Sequence, residues 1–223
     1  MNPEGVIFDL DGTLVASEHV YREAWRQAAR EMKIDLTDEV YARLIGLNRQ
    51  DTITGLAEIW SARTRADVFV DLSQRHYDGL VAQAGHVLRP GVRHLLDHLA
   101  GQKKRLAVAT SSARQLALET LAATKLSDYF HVVVAGDEVA QGKPDPEVYL
   151  TAATRLGCNP KACVAFEDSV TGATAALRAG MTVVFIPELR TPAQDQLSPV
   201  IRLDAHAAAI DLFPMRELGD HAQ

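Results

Sequence analysis

Short apolar, β-branched runs alternate along this chain with longer helical patterns, and that alternation restricts its fold more than any other feature. Gly5–Leu10, Arg105–Thr110, His131–Ala135, Ala162–Phe166 and Thr182–Ile186 read as buried strands, with Pro199–Leu203 as a possible edge strand. Between them, apolar residues spaced by three and four mark helices. Val92, Leu95, Leu96 and Leu99 make one such face; Val148, Tyr149, Ala152, Ala153 and Leu156 make another, closed by Gly157. Strands and helices in this order predict an α/β fold with a Rossmann-like parallel sheet.

The stretch from Ala16 to Gly85 breaks the alternation. It holds no convincing strand and at least three helical segments. Ser17 is placed to cap the first, where Val20, Tyr21, Ala24, Trp25, Ala28, Ala29 and Met32 share a face. Asp51–Ser61 and Ala66–Gln83 follow. A helical block after the first strand predicts an inserted α-helical cap domain over residues 16–87, on a core of residues 1–15 and 88–223. The linkers fall at Leu14–Ala16 and His86–Gly91, and the tail after Leu212 is expected to be loosely held.

Composition narrows the partners. The formal net charge is −6 with no basic run, so nucleic acid is not expected. No apolar run approaches the roughly 18 residues of a membrane span. The start, Met-Asn-Pro-Glu-Gly, carries no leader pattern, and a cytoplasmic protein, monomeric or weakly dimeric, is the expectation. Cys158 and Cys163 cannot form a disulfide framework or a zinc site alone and read as buried free thiols.

Four places put polar chemistry at the ends of strands, where open parallel sheets bind ligands. The first is Asp9-Leu10-Asp11-Gly12-Thr13-Leu14. Paired carboxylates there offer a nucleophile that also binds metal, and a proton carrier. An EF-hand loop is excluded because Val20 stands where its last glutamate belongs. The second is Thr110-Ser111-Ser112, where a hydroxyl and backbone amides follow the strand and begin a helix, a place suited to phosphate; taken alone it reads as a plain helix cap. The third is Gly142-Lys143-Pro144-Asp145-Pro146, which presents an ammonium in a stiff turn. Gly136–Lys143 only superficially resembles a P-loop, since the glycine spacing is wrong and Pro144 replaces the hydroxyl residue. The fourth is Phe166-Glu167-Asp168-Ser169, where Asp168 is either a metal ligand or a cap. Asp9, Asp11, Glu167 and Asp168 gather negative charge that Lys143 alone offsets. An anionic phosphate therefore needs a divalent cation to enter, and hard oxygen ligands favour magnesium.

These four motifs, in this order across almost the whole chain, resemble the haloacid dehalogenase superfamily. The likeness is to its helical-cap branch, which includes beta-phosphoglucomutase and many sugar-phosphate phosphatases. Gly172, Ala175, Ala176, Ala179 and Gly180 match the small-residue helix after the last motif. The resemblance implies Asp9 as nucleophile and metal ligand, and Asp11 as general acid and base that also lends its backbone carbonyl to the metal. Thr110, the Ser111 amide and Lys143 would hold phosphate; Asp168 would bind magnesium with Glu167 beside it. The implied substrate is a small phosphorylated metabolite, a sugar or polyol phosphate, cleaved through an aspartyl-phosphate.

Departures from the family pattern lie in the cap. Ala16 stands where many relatives carry Asp, Tyr21 replaces the histidine of the mutase branch, and the register of the mutase's cap lysine falls near Ser73. Gly46-Leu47-Asn48-Arg49 resembles the substrate-specificity loop, with Arg49 suited to an anionic or hydroxylated end. Trp25 reads as cap core ahead of substrate contact, and His19 and His76 as solvated helix residues. The alternatives to a phosphatase are a sugar phosphomutase and a non-catalytic phosphate-binding module.

Overall fold

The computed structural model describes residues 1–44, 46–188 and 197–214. Their strands are β1 (Gly5–Phe8), β2 (Arg105–Ala109), β3 (Val132–Val134), β4 (Cys163–Glu167), β5 (Thr182–Phe185) and β6 (Ile201–Arg202). They form one parallel sheet in the order β3-β2-β1-β4-β5-β6. Both faces are covered, which is why the strands read as unbroken apolar runs. Val6, Phe8, Val108 and Phe166 pack on one side with Leu95, Leu99 and Phe213. Ile7, Ala107, Ala165 and Phe185 pack on the other with Tyr149 and Ala152.

The expected strands are one or two residues too long at most ends. Leu10, Thr110 and Ile186 are buried, so they prolong the apolar signal, yet they lie beyond the last ladder pair. Phe8 is opposite Val108 in β2 and Phe166 in β4. The order reverses at β1, so the residues just past these three strands share one crevice.

The helices are α1 (Glu18–Met32), α2 (Asp38–Leu44), α3 (Arg49–Trp60), α4 (Arg63–Ala84), α5 (Val92–Gly101), α6 (Arg114–Ala123), α7 (Glu147–Leu156) and α8 (Val170–Arg178). The first four have their own core around Leu44, Leu56 and Phe69. Trp25 and Trp60 meet Phe69 edge-on, at 5.3 and 5.1 Å between ring centres. The sequence pattern does not reveal α2, since only Tyr41 and Leu44 are buried on it. The linkers pair as a ribbon: Ala16 N–H donates to Val87 O at 2.8 Å and Arg89 N–H to Leu14 O at 3.0 Å.

One capping expectation is corrected. The Ser17 side chain makes no cap bond to α1, and its buried hydroxyl has no partner. Glu188 does the work from the core instead, accepting from the Ser17 and Glu18 amides at 3.1 Å each. Its charge also suits the positive end of the helix. Both cysteines are buried and free, as expected. Phe213 is fully buried, so order extends past Leu212; residues 215–223 lie outside the described residues. No described helix is long and apolar enough to cross a membrane.

His206 stacks against Phe166 at 6.2 Å, buried, with neither ring nitrogen hydrogen-bonded. Burial, with some help from Arg89, pushes it down to about 3 from its ordinary 6.5. The unfolded chain therefore binds a proton here that the folded chain refuses. Stability is full above about pH 6.5 and is lost as pH falls toward 3, with a slope of up to about 1.4 kcal/mol per pH unit. Thermal melts from pH 7 to 4 should fall less steeply for His206→Leu than for the parent. Parallel melting curves would contradict this.

Candidate active site

The strand ends bring three of the four motifs together directly. Asp9 follows β1, its N–H donating to Phe166 O at 3.0 Å, so its side chain emerges beside the end of β4. Lys143, only 2% exposed, donates to Asp9 Oδ1 at 2.6 Å and to Glu167 Oε1 at 2.7 Å. It is no surface lysine. Its ammonium also lies 5.0 Å from the centre of the Tyr149 ring. Burial alone would depress the Lys143 ammonium, but the Asp9 and Glu167 carboxylates outweigh it and hold its pKa above the usual lysine value.

Glu167 is completely buried, and both its oxygens are engaged. Oε1 accepts from Lys143 and from the Tyr149 hydroxyl at 2.6 Å. Oε2 accepts from Asp168 N at 3.1 Å, Ser169 N at 3.3 Å and Ser169 Oγ at 3.1 Å. A side chain at Gly172 would put Cβ 1.8 Å from Glu167 Oε1, so only glycine fits there. Ser169 caps α8, accepting from Gly172 N at 3.0 Å. Asp168 is therefore released from the capping role and accepts instead from Thr13 Oγ1 at 3.0 Å. Gly12 reaches this point with φ of +83°, and a Cβ on it would stand 2.2 Å from Asp168 Oδ2.

Asp9, Glu167 and Asp168 each offer an oxygen within 4.8 Å of the others, a buried cluster of the kind that holds a metal. Such an all-oxygen donor set fits a hard divalent cation. Electrostatics point the same way. Burial is the main cause that pushes Asp9 up to about 8, against the pull of Lys143, with Glu167 and Asp11 adding to it. Burial likewise holds Asp168 well above the carboxylate range, with Glu167 and Asp9 contributing. A bound cation relieves both. The Asp11 carboxylate is outside the cluster. It accepts from Ser112 Oγ at 2.6 Å, and burial raises its pKa.

The second motif differs from expectation in one respect. Thr110–Ser112 forms a turn ahead of α6, which begins only at Arg114; Asp137 takes the Arg114 amide at 2.9 Å. Thr110 Oγ1 accepts from Ser112 N at 3.0 Å, and Ser111 Oγ donates to Gly46 O at 3.1 Å. Thr110 and Ser111 thus face the cluster from a turn, without a helix N-terminus behind them.

These groups open into a cavity of about 520 Å³ between the sheet end and the helical block. Asp9, Asp11, Thr110, Ser111, Lys143 and Asp168 line it from the sheet side; Tyr21, Gly46 and Arg49 line it from the other. Tyr21 is stacked on Tyr77, ring centres 4.0 Å apart and 13° from parallel. Arg49 is tied to Asp71 at 2.7 Å. Asn48 is not brought to this cavity: it caps α3 through Asp51 N at 2.9 Å and lines a neighbouring one. Trp25 both joins the cap core and touches the cavity, while His19 and His76 do neither.

Sequence patterns miss Glu18 and Tyr41 in this wall, where they join Ser73, the position in register with the mutase's cap lysine. Tyr41 donates to Glu18 Oε2 at 3.0 Å, and burial raises Glu18 to about 8. These three come from separate helices, so no local spacing joins them. Tyr149 is read correctly as a helix-face residue, but its hydroxyl contact to Glu167 leaves no trace in periodicity.

Comparison with known proteins agrees with this geometry. The sequence model for the family described as haloacid dehalogenase-like hydrolase matches residues 6–186. Over 184 residues the chain is 36% identical to the "Phosphorylated carbohydrates phosphatase" of Thermotoga maritima, covering 82% of this chain and 84% of that one. It is 30% identical over 187 residues to the beta-phosphoglucomutase of Bacillus subtilis, covering 81% and 82%. Among solved structures, a CbbY variant from Rhodobacter sphaeroides in complex with xylulose-(1,5)bisphosphate superposes with a TM-score of 0.78 at 27% identity, covering 92% of this chain and 95% of that one.

Proposed function

The chain belongs to the haloacid dehalogenase-like hydrolases, and from that premise we propose that it is a magnesium-dependent phosphatase of sugar or polyol phosphates, with Asp9 as nucleophile. The observation that carries this reading is the ammonium of Lys143 fixed 2.6 Å from Asp9, within a buried acid cluster. In the proposed assignment Thr110, the Ser111 amide and Lys143 hold the phosphate. Asp9, the Asp11 carbonyl and Asp168 hold the metal. Glu167, with both oxygens engaged, acts as the buried counter-charge that aims Lys143. The proposed cap is residues 16–87 and the core residues 1–15 with 88–223; the linker ribbon between Ala16 and Val87 supports that division.

The proposed chemistry has two steps. An Asp9 oxygen attacks phosphorus, the ester P–O bond breaks, and the leaving alkoxide takes a proton from Asp11. Water then attacks the aspartyl-phosphate, giving its proton to Asp11, and the Asp9–phosphorus bond breaks to release phosphate. The raised Asp11 carboxyl suits the first transfer, and Ser112 holds it on the cavity wall. Magnesium, when bound, supplies positive charge against the phosphoryl oxygens.

A mutase would have to hand the phosphoryl group to a second hydroxyl before water takes it. Tyr21, half-buried and stacked on Tyr77, stands where the mutase branch has an imidazole, and desolvation of its hydroxyl raises its pKa well above the ordinary tyrosine value. It cannot titrate near neutrality, which favours hydrolysis. The Thermotoga relative's name agrees with a phosphorylated carbohydrate as substrate.

Chelation should abolish phosphate release and lower the melting temperature's response to added cation; magnesium should restore both. Calcium should restore the melting response but support turnover poorly, because its longer, more numerous bonds spoil in-line attack. Full turnover in calcium alone, or without any metal, would sink the reading.

A further inference from the structure

The cavity extends well beyond what a phosphate needs, and the charges on its outer wall are lopsided. Asp78 and Glu119 line its outer part, whereas Arg49 is the one cation among the described lining residues apart from Lys143. Arg49 is already committed to Asp71 at 2.7 Å. Glu18 is buried beneath α2, while Asp78 and Glu119 stand exposed at the rim on α4 and α6. Each rim acid accepts from a glutamine one turn earlier, Gln74 at 2.8 Å and Gln115 at 2.9 Å. A separate feature of the same wall marks it as a ligand surface. Ser73 is 4% exposed, and its buried hydroxyl has no hydrogen-bond partner. Buried hydroxyls are ordinarily satisfied, and a substrate hydroxyl would satisfy this one.

We propose that this outer wall selects monophosphates by the charge of their far end: it accepts a hydroxyl- or ammonium-bearing skeleton and rejects one carrying a carboxylate or a second phosphate. The inference rests on the phosphatase reading and adds the rule that chooses the substrate. The phosphate end is attracted by Lys143 and by the bound cation, so the enzyme tolerates one anion at that pole. At the other pole an anion meets the two rim carboxylates, Asp78 and Glu119, and finds no uncommitted cation among the described lining residues. Like charges placed together in a partly desolvated cleft cost roughly tenfold in kcat/KM per added charge. An ammonium meets the same carboxylates with the opposite sign, and a neutral polyol meets hydroxyl and amide groups without penalty.

The test uses four compounds that share one phosphate end: glucosamine 6-phosphate, glucose 6-phosphate, 6-phosphogluconate and glucose 1,6-bisphosphate. With magnesium, the first two should exceed the last two by roughly tenfold or more in kcat/KM. If all four turn over slowly, their inhibition of p-nitrophenyl phosphate hydrolysis should follow the same order. The gap should narrow roughly threefold in the Asp78→Asn/Glu119→Gln variant, and also on raising ionic strength, because those acids are exposed. Because both substitutions act at the far pole, the rate on glucose 6-phosphate should change less than the rates on the two compounds with a second anionic group. A bisphosphate or phosphogluconate that matches glucose 6-phosphate in both turnover and inhibition overturns the charge rule. No phosphate release from p-nitrophenyl phosphate or any of the four removes the phosphatase reading, and this inference with it.

Discussion

Replacing Asp9 by Asn is expected to lower kcat by about 10⁴- to 10⁶-fold while leaving the fold intact. The carboxamide has the shape of the carboxylate but cannot act as the nucleophile. Structure should survive because the contacts at this position do not need the second oxygen. The Asp9 amide still donates to Phe166 O, and an Asn Oδ1 can accept from Lys143 as Asp9 Oδ1 does at 2.6 Å. Removing one charge also relieves a crowded site, where Asp9, Glu167 and Asp168 face a single ammonium. The melting temperature without metal should therefore match or exceed that of the parent, and its rise on adding magnesium should shrink. Parent-like phosphate release from Asp9→Asn would falsify the nucleophilic role. Lost activity accompanied by a collapsed melting curve would instead make Asp9 a structural residue.

How much of this was legible in the sequence depends on distance along the chain. The acids after β1 and β4 could be read because a buried strand that ends in carboxylates is costly and therefore conspicuous. Asp9, Lys143 and Asp168 come from far apart, but each carries its own local signal, and the sheet order explains why they converge. The strand limits were less legible, since Leu10 and Ile186 are as buried as the ladder residues beside them. Capping at α1 was misread for a different reason. Ser17 has the right chemistry in the right place, yet the helix amides are taken by Glu188, which arrives from the segment after β5. The cap side of the cavity was the least legible. Glu18 and Tyr41 come from two helices whose packing alone brings them together, and Asn48 caps α3 and lines a neighbouring cavity instead.

Lys143→Met should be the most disruptive single change for stability and should also disable turnover. The lysine is 2% exposed and donates to Asp9 at 2.6 Å and Glu167 at 2.7 Å. Methionine fills much of its volume and keeps the contact with the Tyr149 ring, so the change isolates charge from packing. What remains is a set of buried carboxylates with no ammonium among them. Breaking a buried ion pair by removing one partner costs about 3–5 kcal/mol. For a chain of this size that lowers the melting temperature by roughly 6–20 °C. Losing the charge that faces the transferring phosphoryl group should cost a further 10²- to 10³-fold in kcat, about the value of one preorganised donor. A second substitution separates the two effects. Glu167→Gln on the Lys143→Met background removes one stranded carboxylate, so it should recover much of the lost stability and none of the lost activity. Stability and activity returning together would mean that Lys143 acts only by holding Glu167 in place. A Lys143→Met protein as stable as its parent would show that the pair contributes nothing to the fold.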